Sequence, residues 1–289
     1  YKVYLLQMKI LRTKHDLKVA INKIKNLGFV PTMGALHDGH LSLVAEANRI
    51  CQNTVVSIYL NPAQFSPQED FDTYPRDLQS DMEALSDYNV DIIFSPEDSE
   101  IYPNGFSTYV QETKLSKVLE GKSRPTFFQG VSTVVAKLFN IVNPTHAFFG
   151  EKDAQQAAII QKLVKDMAYE IQIIICPIVR ENNGLALSSR NYYLSKKGKV
   201  AAANIYKALQ AGKNSLISGE RDAQKIREGI TQIIIHENML QIDYVSVADA
   251  NTLIEISGTI PDDILVSIAI LIENTRLIDN FSYSIPPKK

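Results

Sequence analysis

Two histidines that flank a glycine are the side chains best suited to chemistry in this sequence. His37 and His40 lie at the end of the decamer Pro31–His40, which reads PTMGALHDGH. Imidazole groups beside the N-terminus of a helix can donate to a phosphate whose negative charge grows during a reaction. A lone histidine at the start of a helix is usually a cap or a surface residue, whereas a pair in this setting favours phosphate chemistry. The decamer therefore predicts a phosphate-binding site.

The residues on either side of the decamer predict the elements that hold it. Gly28–Val30 is a short apolar run typical of a buried strand, and residues 41–50 have apolar positions at helical spacing. We expect Asp38 or Gly39 to cap this helix, which places His40 in its first turn. A parallel α/β sheet binds its ligand at such strand-to-helix turns. The HxGH pattern resembles that of the nucleotidyltransferase superfamily, which includes class I aminoacyl-tRNA synthetases, and it indicates a type of reaction without a substrate.

Three later segments place polar side chains after predicted strands. Gln64 follows the strand predicted at 54–60, and its amide can donate to and accept from a substrate that carries a carboxylate and hydroxyls. Lys152 follows another buried strand and offers a point charge for phosphate, and Gln156 lies one helical turn further on the same side. Ser188–Arg190 offers two hydroxyls and a guanidinium, which also suit phosphate. Taken singly, an exposed turn glutamine, a surface lysine and a common loop tripeptide are competing interpretations of these segments.

Composition argues against several classes of function. The chain has 289 residues, enough to bury a sizeable core in one large α/β domain or in two smaller ones. Lys plus Arg number 30 against 32 for Asp plus Glu, so no global field favours nucleic acid or an anionic membrane. No stretch approaches the apolar length of a membrane span. Cys51 and Cys176 fit no metal spacing and lie in apolar segments, which predicts buried thiols in a reducing compartment.

The first seven residues are apolar, but they are shorter than the apolar region of a signal peptide and lack a small-residue cleavage site. We therefore expect a cytoplasmic protein, with Met8 as a candidate native start.

The remaining chain alternates strand and helix patterns, which predicts a parallel sheet with right-handed crossovers. Within it we expect a short strand at Thr108–Gln111, a mobile basic loop at 120–125 and a helix that Gly130 opens. The strand predicted at Ile171–Val179 closes the sheet. After Asn191 the pattern changes to two long amphipathic helices and two strands, which we expect to be antiparallel. The chain is thus expected to form a first domain at 1–177 and a smaller α+β domain at 178–289.

The four motifs occur in an order and at separations that closely resemble the pantothenate synthetase family, whose members are pantoate–β-alanine ligases. The resemblance runs from about Leu27 to Asn191, with a fainter echo at Thr275–Asn280. The motifs are PTMGALHDGH at 31–40, NPAQF at 61–65, FGEKD at 149–153 and GLALSSRN at 184–191. Two positions depart from the family pattern: Leu187 stands where the family usually has Met, and Phe127 where it has His.

The resemblance implies both a fold and a reaction. The fold is α/β, with a Rossmann-like parallel sheet of the HxGH nucleotidyltransferase type in the N-terminal domain and a smaller α+β C-terminal domain as a lid over the ATP site. In the reaction, the carboxylate of pantoate attacks the α-phosphate of ATP, which gives pantoyl adenylate and pyrophosphate. The amine of β-alanine then attacks this mixed anhydride, which releases AMP and forms an amide.

The resemblance also implies a set of site residues. His40, His37 and Lys152 would be catalytic, with His40 as the proton donor to phosphate. Gln64 and Gln156 would bind pantoate, and Gln64 would also contact β-alanine. Residues implied for ATP binding are Met33, Gly34, Ala35, Leu36, His37, Asp38, Gly39, His40, Gly150, Glu151, Lys152, Asp153, Val179, Leu187, Ser188, Ser189 and Arg190.

Mg²⁺ is implied by ATP, and the phosphates would supply most of its ligands. Asp81 is the one protein carboxylate that we can suggest as a ligand. The family resemblance further implies a homodimer built on the first domain.

Two other hypotheses stay open at this point. A different adenylate-forming or nucleotidyl-transferring enzyme would release pyrophosphate with another acid. A non-catalytic nucleotide sensor would not need the intact His37, His40, Lys152 and Ser188–Arg190. A tRNA synthetase is disfavoured because the sequence contains no added basic region for an anticodon.

Overall fold

The computed structural model describes residues 8–67 and 69–285; the first seven residues, considered above as a signal segment, lie outside these ranges. Six parallel strands form one sheet in the order β1-β4-β3-β2-β5-β6. The strands are β1 (Lys9–Leu11), β2 (Leu27–Thr32), β3 (Asn53–Ile58), β4 (Ile92–Phe94), β5 (His146–Gly150) and β6 (Gln172–Cys176). The strand order reverses between β2 and β5, and such a switch point opens a crevice at the carboxyl ends of the two strands. The decamer follows β2 directly.

Helices cover both faces of this sheet. They are α1 (Lys14–Ile21), α2 (Asp38–Ile50), α3 (Leu78–Leu85), α4 (Asp98–Ile101), α5 (Glu120–Ser123), α6 (Phe127–Val142) and α7 (Ala154–Asp166). Successive strand residues point to opposite faces, so Phe29 packs in the core with α1 and α6 while Val30 packs in the core with α2. In the same way, Phe149 packs in the core that contains Phe29, and Phe148 packs in the core that contains Val30. Burial on both faces explains why the strands read as continuous apolar runs.

The C-terminal part has a different architecture. Two helices, α8 (Lys196–Ile217) and α9 (Ala223–Ile235), share one core with a three-stranded antiparallel sheet in the order β7-β8-β9. The strands are β7 (Gln241–Asp249), β8 (Ile264–Ile272) and β9 (Thr275–Tyr283). The structure thus confirms a Rossmann-like parallel sheet accompanied by a smaller α+β part with antiparallel strands. β9 was not predicted as a strand, because Arg276, Asp279 and Asn280 interrupt its apolar alternation.

Internal contacts divide the chain into two compact units. Among the described residues, the first unit comprises those up to Glu151 together with Gln156–Pro177, and the second comprises Lys152–Gln155 together with those from Ile178 onward. The four residues at 152–155 therefore group with the second unit, although the sequence placed them within the first domain.

Two local predictions are wrong. Thr108–Gln111 belongs to no strand of either sheet, because the backbone N–H of Val110 donates to Oγ1 of Thr133 on α6 at 3.0 Å instead of entering a strand ladder. The segment 120–125 is not an irregular loop, since it contains α5, whose Glu120 and Gly121 are buried. The helix that was predicted to begin at Gly130 begins three residues earlier, at Phe127.

Both cysteines are unpaired and buried, as expected from their apolar surroundings. Burial raises the pKa of both thiols, that of Cys176 to about 11. Within the described ranges, no helix combines the length and apolar character that crossing a membrane requires.

Candidate active site

The loop after β2 brings the two histidines together. The N-cap of α2 is His37, whose Nδ1 accepts the backbone N–H of Gly39 at 3.1 Å. The Nδ1 atom of His40 accepts the N–H of His37 in a longer contact of 3.4 Å, which completes a capping box. The ring centroids lie 4.1 Å apart. The prediction that Asp38 or Gly39 caps the helix is therefore wrong, because the imidazole of His37 itself satisfies the N-terminal donor.

This capping pattern fixes the tautomer of each histidine. A neutral imidazole has one donor and one acceptor nitrogen, and each Nδ1 here accepts a backbone N–H. When neutral, His37 and His40 therefore carry their protons on Nε2. Two such N–H donors next to the positive end of α2, a helix of 13 residues, suit the oxygens of a phosphate.

A buried carboxylate on α3 fixes the rest of the loop. Asp81, which is 4% exposed, accepts the backbone N–H of Leu36 at 2.7 Å and that of Ala35 at 3.2 Å. Gly34 and Ala35 have φ angles of +83° and +52°, and a Cβ at Gly34 would lie 2.9 Å from Oδ2 of Asp81. Burial raises the pKa of the Asp81 carboxyl, while the two amide hydrogen bonds act against that rise. The carboxylate thus holds the loop backbone in a turn that glycine permits.

Gln64 lies against the same loop. It ends a 3-10 turn, Pro62–Gln64, which follows β3, and it is 8% exposed. Its Nε2 donates to Sδ of Met33 at 2.9 Å, and its Oε1 accepts from Nδ2 of Asn61 at 2.9 Å. The alternative of an exposed turn glutamine is wrong for this residue. An amide is instead held beside the decamer.

Asn61 links this turn to helix α6. Its Nδ2 also donates to the carbonyl oxygen of Gly130 at 3.2 Å, and its Oδ1 accepts from the Tyr102 hydroxyl at 2.7 Å. A Cβ at Gly130 would lie 2.1 Å from the carbonyl oxygen of Ala63, so only glycine allows the helix and the turn to approach this closely. Burial raises the pKa of the Tyr102 hydroxyl, which therefore stays protonated and donates.

Arg124 holds Gln64 from the other side. Its Nη2 donates to the backbone oxygen of Gln64 at 3.1 Å and to Oε2 of Glu69 at 3.0 Å. Its Cζ lies 3.6 Å from the centroid of the Phe127 ring, a cation–π arrangement. Phe127, a departure from the family pattern, thus serves as the stacking surface for this arginine. Sequence reasoning missed Arg124 and Glu69, because their partners lie 55 to 60 residues away.

In the second unit, a cleft brings Lys152 and Ser188 together. The lining residues are Lys152, Leu185, Ala186, Ser188, Asn191, Ile205, Leu277, Ile278 and Asp279. The Nζ atom of Lys152 lies 3.5 Å from Oδ1 of Asp153. Leu187, Ser189 and Arg190, which were expected in the same site, do not line this cleft.

The segment before Ser188 is held as a narrow loop. The N–H of Leu187 donates to the oxygen of Val179 at 3.0 Å, and that of Glu181 donates to the oxygen of Leu185 at 2.8 Å. Ser188 then caps the 3-10 helix Ser189–Tyr193 by accepting the N–H of Arg190 at 3.3 Å.

The remaining predicted residues lie close to β5 in the chain. Gly150 ends that strand, and Glu151 and Asp153 belong to the 3-10 turn that follows it. Gln156 is partly exposed in the first turn of α7 and is assigned to the first unit.

The chain resembles known proteins along almost its whole length. A pantothenate synthetase of Thermotoga petrophila is 48% identical over 277 residues, which cover 94% of this chain and 99% of that protein. The crystal structure of pantothenate synthetase from Thermus thermophilus matches with a TM-score of 0.90 at 39% identity, covering 95% of this chain and 99% of that one.

A third relative was crystallised with ligands. The structure of pantoate-beta-alanine ligase from Francisella tularensis, complexed with beta-gamma ATP and beta-alanine, matches with a TM-score of 0.77 at 34% identity and covers 95% of this chain and 97% of that one. Residues 9–282 match the family model described as Pantoate-beta-alanine ligase. The chain therefore belongs to the pantoate-beta-alanine ligase family.

Proposed function

We propose that this enzyme condenses pantoate with β-alanine to form pantothenate and that it uses ATP to activate the acid. The pantoate carboxylate attacks the α-phosphorus, and pyrophosphate leaves. The amine of β-alanine then attacks the carbonyl carbon of pantoyl adenylate, the bond to the phosphate oxygen breaks, and AMP leaves. Membership of the family supports this sequence of steps.

The observation that carries the proposal is the contact between Gln64 and the loop of the two histidines. Gln64 Nε2 lies 2.9 Å from Sδ of Met33, four residues before His37 in the chain. A neutral amide can bind the hydroxyls and carboxylate of pantoate without adding a positive charge. That neutrality matters, because a cation on the carboxylate would weaken its attack on phosphorus. Gln64 and Gln156 are therefore proposed to bind pantoate, and Gln64 also to contact β-alanine.

The family resemblance assigns the phosphate-binding roles to His40, His37 and Lys152. His40 donates from Nε2 to the oxygens of the α-phosphate as negative charge develops, with His37 beside it. Lys152 adds a positive charge to the same nucleotide. The other residues of the decamer, of the Gly150–Asp153 turn and of the segment that contains Val179 and Leu187–Arg190 are proposed to complete the ATP site.

Mg²⁺ fits this site as an ion held mainly by ATP. Among the described residues, no group of three or more His, Cys, Asp or Glu side chains could hold a metal. Mg²⁺ commonly binds substrate phosphates with few protein carboxylates and keeps several waters. When bound, the ion would offset phosphate charge. Asp81 is a weak ligand candidate, since both of its oxygens already accept backbone N–H groups.

Two further properties belong to the proposal. The family resemblance supports a homodimer. The two unpaired, buried cysteines support a cytoplasmic location, because a reducing compartment keeps thiols unpaired.

The test measures products with a panel of acids. The purified chain is incubated with ATP, Mg²⁺ and pantoate or other carboxylic acids, and pyrophosphate is followed; β-alanine is then added, and AMP and pantothenate are measured. We expect pyrophosphate with pantoate alone and equal amounts of AMP and pantothenate after the amine is added. Release with a different acid would indicate another adenylate-forming enzyme. ATP binding without turnover of any acid would indicate a nucleotide sensor.

A further inference from the structure

Strand β9 contains a motif that the proposed chemistry does not use, TRLIDN at 275–280. Its last two residues, Asp279 and Asn280, are each 3% exposed, although the neighbouring strand β8 is almost wholly apolar. A buried polar side chain costs stability unless it is hydrogen-bonded, so the partners of these two residues should explain why they are there. Successive side chains of a strand point to opposite faces, and the pair can therefore serve two different segments.

Asn280 holds the backbone of Lys152. Its Nδ2 donates to the carbonyl oxygen of Lys152 at 2.8 Å, across 128 residues of sequence. The lysine side chain is 19% exposed and lines the cleft together with Ser188. A lysine ammonium sits on a flexible four-carbon stem, so the position of its backbone limits where the charge can reach.

Asp279 holds the other side of the same cleft. It forms a bidentate ion pair with Arg180, with Nη1 to Oδ2 at 2.6 Å and Nη2 to Oδ1 at 2.9 Å. Nη1 of Arg180 also donates to the oxygen of Gly184 at 3.1 Å, which ties down the loop that leads to Ser188. Oδ1 of Asp279 accepts the N–H of Asn280 at 2.7 Å, so the two anchors are joined to each other.

We propose that Asn280 is a positioning residue, which fixes Lys152 relative to Ser188 and thereby supports adenylate formation. This inference rests on the phosphate-binding role proposed above for Lys152. A displacement of about 1 Å can cost roughly 10²-fold in rate, and the loss of one buried hydrogen bond about 10-fold. The effect on pantoate activation should therefore lie near the lower of these values.

The experiment is a double-mutant cycle on the two half-reactions. Asn280→Ala and Asn280→Leu, the second of which keeps the number and branching of the side-chain heavy atoms, are compared with Lys152→Ala and with the double variant Lys152→Ala/Asn280→Ala. Pyrophosphate release from ATP and pantoate reports the first half-reaction, and amide formation from supplied pantoyl adenylate reports the second. Asp243→Ala is the matched control, because it breaks an ion pair with Arg276 at the other end of β9.

We expect both Asn280 variants to lower the maximal rate of pyrophosphate release roughly 10-fold, with the KM for pantoate and amide formation nearly unchanged. In the Lys152→Ala background, Asn280→Ala should cost less than about twofold further, because non-additivity marks residues that act together. Equal damage to both half-reactions, additive losses, or an effect no larger than that of Asp243→Ala would overturn the role of Asn280. If Lys152→Ala itself leaves pyrophosphate release intact, the proposed role of Lys152 fails, and this inference fails with it.

Discussion

The loop after β2 and the turn at Lys152 carry the two candidate phosphate-binding groups, and they are fixed in opposite ways. The two histidines are held by local contacts, since the capping box joins residues only two and three positions apart, while Asp81 holds the turn that precedes them. Lys152 is held by a side chain 128 residues further along the chain. The first arrangement forms whenever the helix forms. The second depends on the complete fold of the second unit.

This difference has a chemical consequence. A locally built pair of donors beside a helix N-terminus is preorganised, and preorganised donors stabilise developing charge without further rearrangement. A lysine on a long stem acts as a point charge whose placement depends on its support. We therefore expect substitutions in the histidine loop to cause the largest losses of activity and substitutions at or around Lys152 to cause smaller, graded losses.

His40→Ala should show the largest effect. Loss of one transition-state donor typically costs roughly 10²–10³-fold in turnover, while the fold is retained because α2 keeps its cap at His37. Steady-state production of pantothenate measures the loss, and His236→Ala, an exposed histidine at the end of α9, is the control. Near-normal turnover of the His40 variant would show that His40 takes no part in the chemistry. It would also contradict the expected difference between the histidine loop and the turn at Lys152.

Lys152→Ala should come next and should separate the two half-reactions. A charge-assisted hydrogen bond is worth about 1.5–3 kcal/mol, so pyrophosphate release from ATP and pantoate should fall roughly 10–100-fold. Amide formation from supplied pantoyl adenylate should stay largely intact, because pyrophosphate is no longer present in that step. Equal losses in both half-reactions would show that the lysine supports the fold and not the phosphates.

The same contrast between local and distant support decides what the sequence could predict. Strand–turn–helix patterns around His37 and His40 depend on neighbours in sequence, so the parallel sheet, the histidine pair and the antiparallel C-terminal strands were predictable. Even there, the prediction of the cap of α2 was wrong, because an imidazole nitrogen accepts the backbone N–H that a carboxylate or hydroxyl oxygen usually accepts at a helix N-terminus.

Contacts between residues far apart in the chain left almost no signal in the sequence. Nothing near Asp81 indicates that it binds the N–H groups of Ala35 and Leu36, which lie 46 and 45 residues away. The basic stretch at 120–125 was predicted to be a loop because it contains a glycine and ends at a proline, yet it includes a short helix, and Arg124 donates to Glu69 and to the oxygen of Gln64. Such contacts depend on tertiary structure, which overrides local pattern.

The two glutamines test whether the substrate binds beside the histidine loop. Gln156→Ala should weaken the use of pantoate roughly 10–100-fold, because an unpaired polar group in a closed site costs about 1–3 kcal/mol. Gln64→Ala should do the same and should also raise the requirement for β-alanine. Calorimetric titration with ATP and then with pantoate separates the two ligands. Collapse of ATP affinity with pantoate binding preserved would place both glutamines in the nucleotide site.

Asp81→Asn should have the smallest effect, and it acts on the support of the histidine loop. An amide at this position offers one acceptor oxygen, so one of the N–H groups of Ala35 and Leu36 loses its partner and faces another donor. We expect the free energy of unfolding to fall by about 1–3 kcal/mol near neutral pH. Urea unfolding curves measure this loss, and Asp77→Asn at the N-cap of the same helix is the matched control.

The pH dependence of that loss tests the cause. Burial raises the pKa of Asp81 above its ordinary value of 3.8, so the folded state binds this proton more tightly than the unfolded chain does. Tighter proton binding by Asp81 in the folded state therefore adds to the free energy of unfolding. This contribution is fully present below the pKa that Asp81 has in the unfolded chain, and it is lost as pH rises through the pKa that Asp81 has in the folded protein. Asparagine does not titrate. The difference in unfolding free energy between the two proteins should grow as pH falls from about 7 toward about 4. A difference that shrinks over this range would mean that the amide hydrogen bonds, and not burial, dominate at Asp81.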